Sequence, residues 1–169
     1  MLRTLKQIAV TGLVSETPPE IDATLRVRDA LQARIRAVLG RALCIRHVDA
    51  GSCNGCELEI HALNNPIYNI EGLGIRFVAS PRHADLLLVT GPVSSHMEVA
   101  LRLTYEATPD PKLVVAIGDC GCTGGIFGET YASRGRVANV IPVDVAVPGC
   151  PPSPTRILQG ILTAISPEA

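Results

Sequence analysis

The sequence contains no tryptophan, and aromatic residues make up only 3% of its 169 residues. Proteins that bind single-stranded nucleic acid stack bases on aromatic side chains, and most nucleic-acid-binding proteins also carry a basic surface. The formal net charge of -1 indicates no such surface. Both absences argue against nucleic acid as a partner. No apolar run reaches the roughly 18 residues that a membrane-spanning helix needs, so we expect no transmembrane segment in this chain.

Cysteine is too scarce for a disulfide scaffold. The chain has 6 cysteines in 169 residues, and a chain of this length can bury a core without such crosslinks. Residues 1–6 contain neither a long apolar region nor a twin-arginine pair, the usual marks of an exported chain. We therefore expect a cytoplasmic protein with reduced thiols.

The chain divides into two unequal parts. Residues 1–40 form an amino-terminal arm with an amphipathic helix over 21–39, which either packs on its own domain or docks on a partner subunit. Residues 41–169 form one domain in which strands alternate with helices, a pattern typical of an α/β fold with a parallel sheet and helices on both faces. The predicted strands are 43–48, 74–79, 85–90, 112–118 and 140–147. The predicted helices are 58–63, 97–107 and 153–164.

Four cysteines lie just after predicted strands, and each is within two residues of a glycine. Cys53 and Cys56 form a CxxC motif, Cys120 follows Gly118-Asp119, and Cys150 precedes two prolines. We interpret the three segments as loops that leave strands. Because ligands of parallel sheets bind beyond the carboxyl ends of the strands, four thiolates could meet there on one metal centre.

The spacing alone leaves three interpretations open: an iron–sulfur cluster, a zinc site, or thiols without a metal. A second CxxC motif would favour a zinc ribbon, and there is none. Single cysteines in turns rich in glycine favour the cluster, because glycine amides can approach and hydrogen-bond to sulfide. Cys122 either replaces Cys120 as a ligand or lies just outside the site. Cys44 lies within a strand and is expected to be a buried apolar residue.

Two carboxylates follow the CxxC motif. Glu57 and Glu59 suit the first turn of a helix, where the helix dipole favours negative charge. The alternative is proton handling or partner contact beside the cluster, for which Glu59 is the stronger candidate. No glycine pattern matches a dinucleotide-binding or phosphate-binding loop, so we expect no nucleotide.

These motifs together identify a family resemblance. The chain resembles the small subunit of energy-converting, membrane-bound nickel–iron hydrogenases of the formate hydrogenlyase type, which is homologous to the B subunit of respiratory complex I. The resemblance covers roughly residues 43–165. The matching stretches are VDAGSCNGCELEI from residue 48, SPRHAD from residue 80, GPV from residue 91, GDC from residue 118, GGIF from residue 124, and PVD from residue 142 with PGCPPSP from residue 148.

The resemblance implies a flavodoxin-like sheet with one 4Fe-4S cluster at the carboxyl ends of its strands. By motif position, the implied ligands are Cys53, Cys56, Cys120 and Cys150, whereas Cys122 is not among them. The implied partners are a hydrogenase-like large subunit that holds any nickel–iron centre, a ferredoxin-like cluster subunit and integral membrane subunits. Complex I relatives carry adjacent cysteines where this chain has CxxC, which favours the hydrogenase branch.

The favoured hypothesis is an electron-transfer subunit, peripheral to the cytoplasmic face of the membrane, with no catalytic residues of its own. It belongs to an oxidoreductase and passes single electrons through its cluster to or from the large subunit. One alternative is the equivalent subunit of a nickel-free, complex I-like quinone oxidoreductase. Another is a zinc-stabilised scaffold protein without a redox role.

Overall fold

A single parallel sheet of five strands organises the computed structural model, which describes residues 23–166. The strand order is β2-β1-β3-β4-β5, the flavodoxin-like order. The strands β1 to β5 are Leu43–Asp49, Ile75–Phe77, Leu86–Thr90, Leu113–Ile117 and Val145–Val147. The helices α1 to α5 are Ala23–Leu39, Gly55–Ala62, Glu98–Ala107, Gly118–Thr123 and Pro154–Ile165, with short 3-10 turns at Ile70–Leu73, Pro81–His83 and Val137–Asn139.

Both faces of the sheet are covered, as the continuous apolar sequence of its central strands predicts. All five residues of β3 are buried. On one face, α1, α2 and α5 pack against the sheet through residues such as Leu31, Ile60 and Leu158. On the other face, Leu101 of α3 and the 3-10 turn at Val137–Asn139 complete a second apolar cluster. The predicted α/β fold with a flavodoxin-like parallel sheet is confirmed.

Helix α1 contributes to the core of this domain. Leu31 and Ile35 are 0% and 2% exposed, Arg34 Nε donates to the carbonyl oxygen of Ile165 at 3.3 Å, and Gln32 Nε2 donates to that of Gly72 at 3.0 Å. Residues 1–22, most of the predicted arm before this helix, lie outside the described residues. A second role for the arm on a partner subunit stays a prediction.

None of the helices within residues 23–166 has the length and apolar character needed to cross a membrane.

Aspartates join neighbouring strands at the amino end of the sheet. The backbone amide of Asp144 donates to Val114 O at 2.9 Å, and the amide of Val114 donates back to Asp144 Oδ2 at 2.7 Å. Asp85 makes the same reciprocal pair with Cys44, at 2.8 and 2.9 Å. These bonds link β4 to the segment before β5, and β1 to the segment before β3.

The last strand and one helix differ from the sequence predictions. Strand β5 begins only at Val145, whereas we predicted it from residue 140. Pro142 cannot donate to a sheet ladder, and Val140 and Ile141 pack into the second apolar cluster instead. The segment after β4, predicted to be a loop, is helix α4. Gly118 has φ +83°, which lets the chain turn directly from the strand into this helix.

Candidate metal centre

The four cysteines predicted as ligands line one recess at the carboxyl end of the sheet. Cys53 lies in the loop after β1, and Cys56 lies in the first turn of α2. Cys120 lies in the first turn of α4, and Cys150 lies in the loop after β5. Two of the four are therefore on helices rather than in loops. Cys53 and Cys150 are exposed, whereas Cys56 and Cys120 are half-buried.

The thiols are close enough to influence one another electrostatically. Burial raises the pKa of Cys56, and together with the negative charges of Glu57, Cys53, Cys120 and Cys150 it brings that pKa to about 12. Burial also raises the pKa of Cys120, and Cys150, Cys53 and Asp119 act in the same direction. Four thiolates in this recess would repel one another unless a cationic centre neutralised them, since metal ligation requires the thiolate form.

Two glycines leave room for the cysteine sulfurs. A Cβ at Gly118 would lie 2.6 Å from Cys56 Sγ, and a Cβ at Gly125 would lie 2.8 Å from Cys120 Sγ. Both glycines also have positive φ, +83° and +57°. No L-residue with a side chain fits here without displacing a sulfur, so the sequence needs glycine at both positions on steric and conformational grounds.

The first cysteine loop is shaped by Asp49 at the end of β1. Its Oδ1 accepts hydrogen bonds from the amides of Gly51 and Ser52, each at 2.8 Å. Partial burial would raise the pKa of Asp49, but the hydrogen bonds from Ser52 and Gly51 outweigh it and lower that pKa below its ordinary value. Gly91, which follows β3, packs so closely that a Cβ there would lie 2.5 Å from Ser52 N. The loop that carries Cys53 is therefore held from two sides.

The remaining two cysteines lie elsewhere. Cys122 is absent from the lining of the recess, and its Sγ donates to the carbonyl oxygen of Ala116 at 3.6 Å. Burial raises the pKa of Cys122 to about 11, with no contribution from the other cysteines. Cys44 lies at the amino end of β1, at the opposite end of the sheet, and is half-buried rather than fully buried.

A buried carboxylate lies next to the recess. Glu57 is 6% exposed, and neither of its carboxylate oxygens has a hydrogen-bond partner among the described residues. His47 Nε2 is 3.7 Å from Glu57 Oε1 and 3.1 Å from Thr90 Oγ1. Burial lowers the pKa of His47, although Glu57 opposes this shift. Sequence reasoning favoured Glu59, which is only half-buried. The spacing of three residues between Glu57 and the buried Ile60 was the signal that places Glu57 on the inward face of α2.

The recess does not match a site for one metal ion. Within residues 23–166, no three side chains of His, Cys, Asp or Glu lie close enough together to hold a single ion.

The segment between α4 and β5 presents apolar side chains beside the recess. Ile126 and Phe127 line a second cavity together with Cys53, Cys120 and Cys150. Ile126 is 94% exposed, Phe127 is 53% exposed, and Tyr131, four residues further along the chain, is 98% exposed. We call these three residues the apolar rim.

The segment that carries the apolar rim is bonded to residues 93–98 at its Tyr131 and Arg134 positions. Arg134 Nε donates to Glu98 Oε2 at 2.6 Å, and Ser95 Oγ donates to the carbonyl oxygen of Tyr131 at 3.0 Å. The amide of Arg134 also donates to Val93 O at 2.6 Å. The exposed apolar residues are therefore displayed by a fixed segment, which is typical of a protein–protein contact surface.

Comparison with known proteins assigns the family. Residues 53–164 match the family described as NADH ubiquinone oxidoreductase, 20 Kd subunit. The chain belongs to this family. The match begins at Cys53 and also includes Cys56, Cys120 and Cys150, and it confirms the predicted relationship to the B subunit of complex I.

Relatives within the family come from hydrogenases and related membrane complexes. The chain is 48% identical to the probable membrane-bound hydrogenase subunit mbhJ of Pyrococcus furiosus, over 82% of this chain and 84% of that one. It is 41% identical to formate hydrogenlyase subunit 7 of Escherichia coli, over 80% of this chain and 53% of that one. Among solved structures, it matches a chain of the membrane-bound sulfane sulfur reductase, an archaeal respiratory membrane complex, with a TM-score of 0.65, 34% identity, and coverage of 82% of this chain and 73% of that one. The protein is thus an oxidoreductase subunit of the hydrogenase and complex I type.

Proposed function

We propose that this chain is the electron-transfer small subunit of a membrane-associated nickel–iron hydrogenase complex. In this proposal Cys53, Cys56, Cys120 and Cys150 hold one 4Fe-4S cluster at the carboxyl end of the sheet. The observation that carries the proposal is the convergence of these four thiols, from three separate strand ends, on one recess. Such a cluster, when bound, supplies one-electron transfer.

The residues of this chain bind the cluster, shape its surroundings and limit its contact with water. The cysteines act as thiolate ligands, and Gly118 and Gly125 admit the sulfurs at distances that a side chain would prevent. Asp49 fixes the loop that carries Cys53. Backbone amides and burial around the sulfurs are the means by which a protein sets a cluster's reduction potential.

The exposed apolar rim favours a partner protein that binds on the same side of the molecule as the recess. Cys53 and Cys150 are exposed, and Ile126 and Phe127 lie beside them with much of their apolar surface open. A cluster held there needs a protein cover to exclude water. We propose that a hydrogenase-like large subunit provides this cover, and that a ferredoxin-like cluster subunit and integral membrane subunits complete the complex at the cytoplasmic face of the membrane.

A nickel-free relative is the second candidate function. The observation that favours it is the 34% identity to a chain of a sulfane sulfur reductase, which is named for a different reaction from hydrogenases. Under this alternative, including a complex I-like quinone oxidoreductase, the present chain has the same role and the large subunit lacks nickel. The zinc scaffold is less well supported, because the described residues do not gather three ligands around a single ion.

The complex itself provides the decisive test. It should be purified anaerobically through a tag on this subunit, and its iron, nickel, zinc and acid-labile sulfide should be measured together. We expect iron and sulfide with stoichiometric nickel. Iron and sulfide without nickel would favour the nickel-free relative, and zinc without iron or sulfide would contradict electron transfer.

A further inference from the structure

Asp119 links two of the cysteine segments through a reciprocal pair of hydrogen bonds. Its backbone amide donates to the carbonyl oxygen of Gly149 at 2.9 Å, and the amide of Gly149 donates to Asp119 Oδ1 at 2.8 Å. Asp119 immediately precedes Cys120, and Gly149 immediately precedes Cys150. The aspartate therefore ties together the backbone positions from which two of the proposed ligands project.

These bonds lie where the sheet ladder has ended. Strands β4 and β5 pair from Val115 opposite Val145 to Ile117 opposite Val147. Asp119 and Gly149 each lie two residues beyond the last pair. The backbone around them is tightly fitted, because Gly149 has φ +143° and a Cβ there would lie 2.7 Å from Pro152 Cα. The carboxylate thus extends the link between the two strands to the cysteines themselves.

Asp119 also lines the recess with all four cysteines. A negative charge beside a cluster disfavours the addition of an electron and so lowers the reduction potential. Asparagine has nearly the same shape and its Oδ1 can still accept a hydrogen bond, but it carries no charge. Asp119 can therefore act through its hydrogen bond and through its charge. Substitution by asparagine separates the two, because it removes only the charge.

We propose that Asp119 is a positioning residue that fixes the spacing of the Cys120 and Cys150 thiolates, and that its charge lowers the reduction potential of the cluster they hold. This inference rests on the proposed function, since it assumes the cluster. The GDC stretch from residue 118 does not by itself indicate this role, because the carboxylate bonds to a residue 30 positions further along the chain.

The protein contains a matched control at the other end of the same strand pair. Asp144 makes the same reciprocal pair of hydrogen bonds with Val114, at 2.9 and 2.7 Å. It too joins the β4 and β5 segments, but at the amino end of the sheet, away from the recess. Loss of either carboxylate weakens the strand pair, whereas only Asp119 lies next to the cysteines.

The experiment compares Asp119→Ala and Asp119→Asn with Asp144→Ala and Asp144→Asn in the full chain. Each variant is reconstituted anaerobically with limiting iron and with sulfide, and its iron and sulfide content, midpoint potential and urea midpoint are measured. We expect Asp119→Ala to lose about tenfold in apparent iron affinity, as is usual when a residue that supports metal ligands is removed. Asp119→Asn should load like the unmodified chain but with a higher midpoint potential. Asp144→Ala should lower only the urea midpoint, and Asp144→Asn should leave the potential unchanged.

Three outcomes would overturn the positioning role, and a fourth would overturn the effect of charge. The positioning role fails if Asp119→Ala loads as well as the unmodified chain, or if Asp144→Ala loses as much iron as Asp119→Ala. It also fails if Asp119→Asn does not restore loading. An unchanged potential in a loaded Asp119→Asn variant would refute the effect of charge. Failure of the unmodified chain itself to take up iron and sulfide would contradict the proposed function instead, and so the two failures are distinguishable.

Discussion

Strands β4 and β5 are joined by an aspartate at each end, and the two ends are otherwise built differently. At the amino end, Asp144 bonds to Val114, and a similar pair at Asp85 is reinforced by Arg41, whose guanidinium lies 2.6 Å from the carboxylate. At the carboxyl end, Asp119 bonds to Gly149. There the chain passes through glycines of positive φ and no basic side chain lines the recess.

The difference shows how one local device can serve two purposes. At the amino end, reciprocal hydrogen bonds and charges of opposite sign stabilise the strand pairs by themselves. At the carboxyl end, thiols that repel one another as thiolates and glycines in unusual conformations bring no stability until something binds. Charges and backbone conformations that destabilise a fold, with no structural contact to offset them, are expected at functional sites. Substitutions that behave differently at the two ends therefore test the proposed function.

The largest contrast is expected between cysteines at opposite ends of the sheet. Cys150→Ala removes a proposed ligand and should abolish the cluster, whereas Cys44→Ala at the amino end of β1 should leave it intact. The measurement is iron and acid-labile sulfide per chain, with the visible absorbance of the anaerobically purified protein. A full complement of iron and sulfide in Cys150→Ala would show that the ligand set is wrong.

The next contrast uses two glycines with the same backbone conformation. Gly118 and Gly74 both have φ +83°, but a Cβ at Gly118 would lie 2.6 Å from Cys56 Sγ, whereas at Gly74 the nearest atom would be Ile35 Cγ2 at 3.8 Å. Alanine should cost about 1 kcal/mol of unfolding free energy at either position for its positive φ. At Gly118 the clash should add about 1–3 kcal/mol and displace Cys56.

Urea denaturation of the metal-free chain and iron content after reconstitution measure these two effects. Gly74→Ala controls for backbone strain alone and should load normally. Equal loss of stability in both variants, together with normal loading in Gly118→Ala, would mean that the backbone at Gly118 moves away from the sulfur easily and does not constrain the site.

The two ends of the sheet also show which features can be predicted from the sequence and which cannot. The strands were predictable because Leu86–Thr90 and Leu113–Ile117 are continuous apolar runs, and a parallel sheet brings the ends of its strands together. The convergence of the four cysteines followed from that topology. Helix α4 and the late start of β5 were not predictable, since they depend on the positive φ of Gly118 and on how Val140 packs.

Two side chains illustrate the limit further. The burial of Glu57 and the bond from Gly149 to Asp119 depend on tertiary contacts across the sheet. In sequence, both residues are simply acids beside a cysteine, and helix-dipole arguments account for either one. Local patterns therefore pointed to the four cysteines that line the recess, whereas the burial of Glu57 and the link between Asp119 and Gly149 became visible only in the structure.

A smaller effect is expected from pH on the metal-free chain. Burial raises the pKa of Cys56 to about 12 and that of Cys122 to about 11, whereas an unfolded thiol titrates near about 8.5. Above the unfolded value, the unfolded chain binds fewer protons than the folded chain, and so stability falls as the pH rises. The urea midpoint should be highest below about pH 8.5 and should decline toward pH 11.

The control for this prediction is the loaded protein. Ligated thiolates carry no proton in the folded state, so binding of the cluster should remove the part of the decline that comes from Cys56 and leave only the part that comes from Cys122. A metal-free chain whose urea midpoint stays constant to pH 11 would show that these thiols are better solvated than their burial suggests.

The smallest effect is expected from Cys122→Ala. This variant tests which cysteines at the carboxyl end of the sheet hold the cluster. Cys122 is only two residues from Cys120, yet its Sγ donates to Ala116 O at 3.6 Å and does not reach the recess. The alanine variant should keep its iron, sulfide and midpoint potential, and should lose roughly 1 kcal/mol of stability through the missing contacts of a half-buried sulfur. Iron and sulfide analysis of Cys122→Ala beside Cys120→Ala decides the matter. If the first loses the cluster and the second retains it, the helix α4 must rotate on loading, and the resting positions of these two thiols do not identify the ligand.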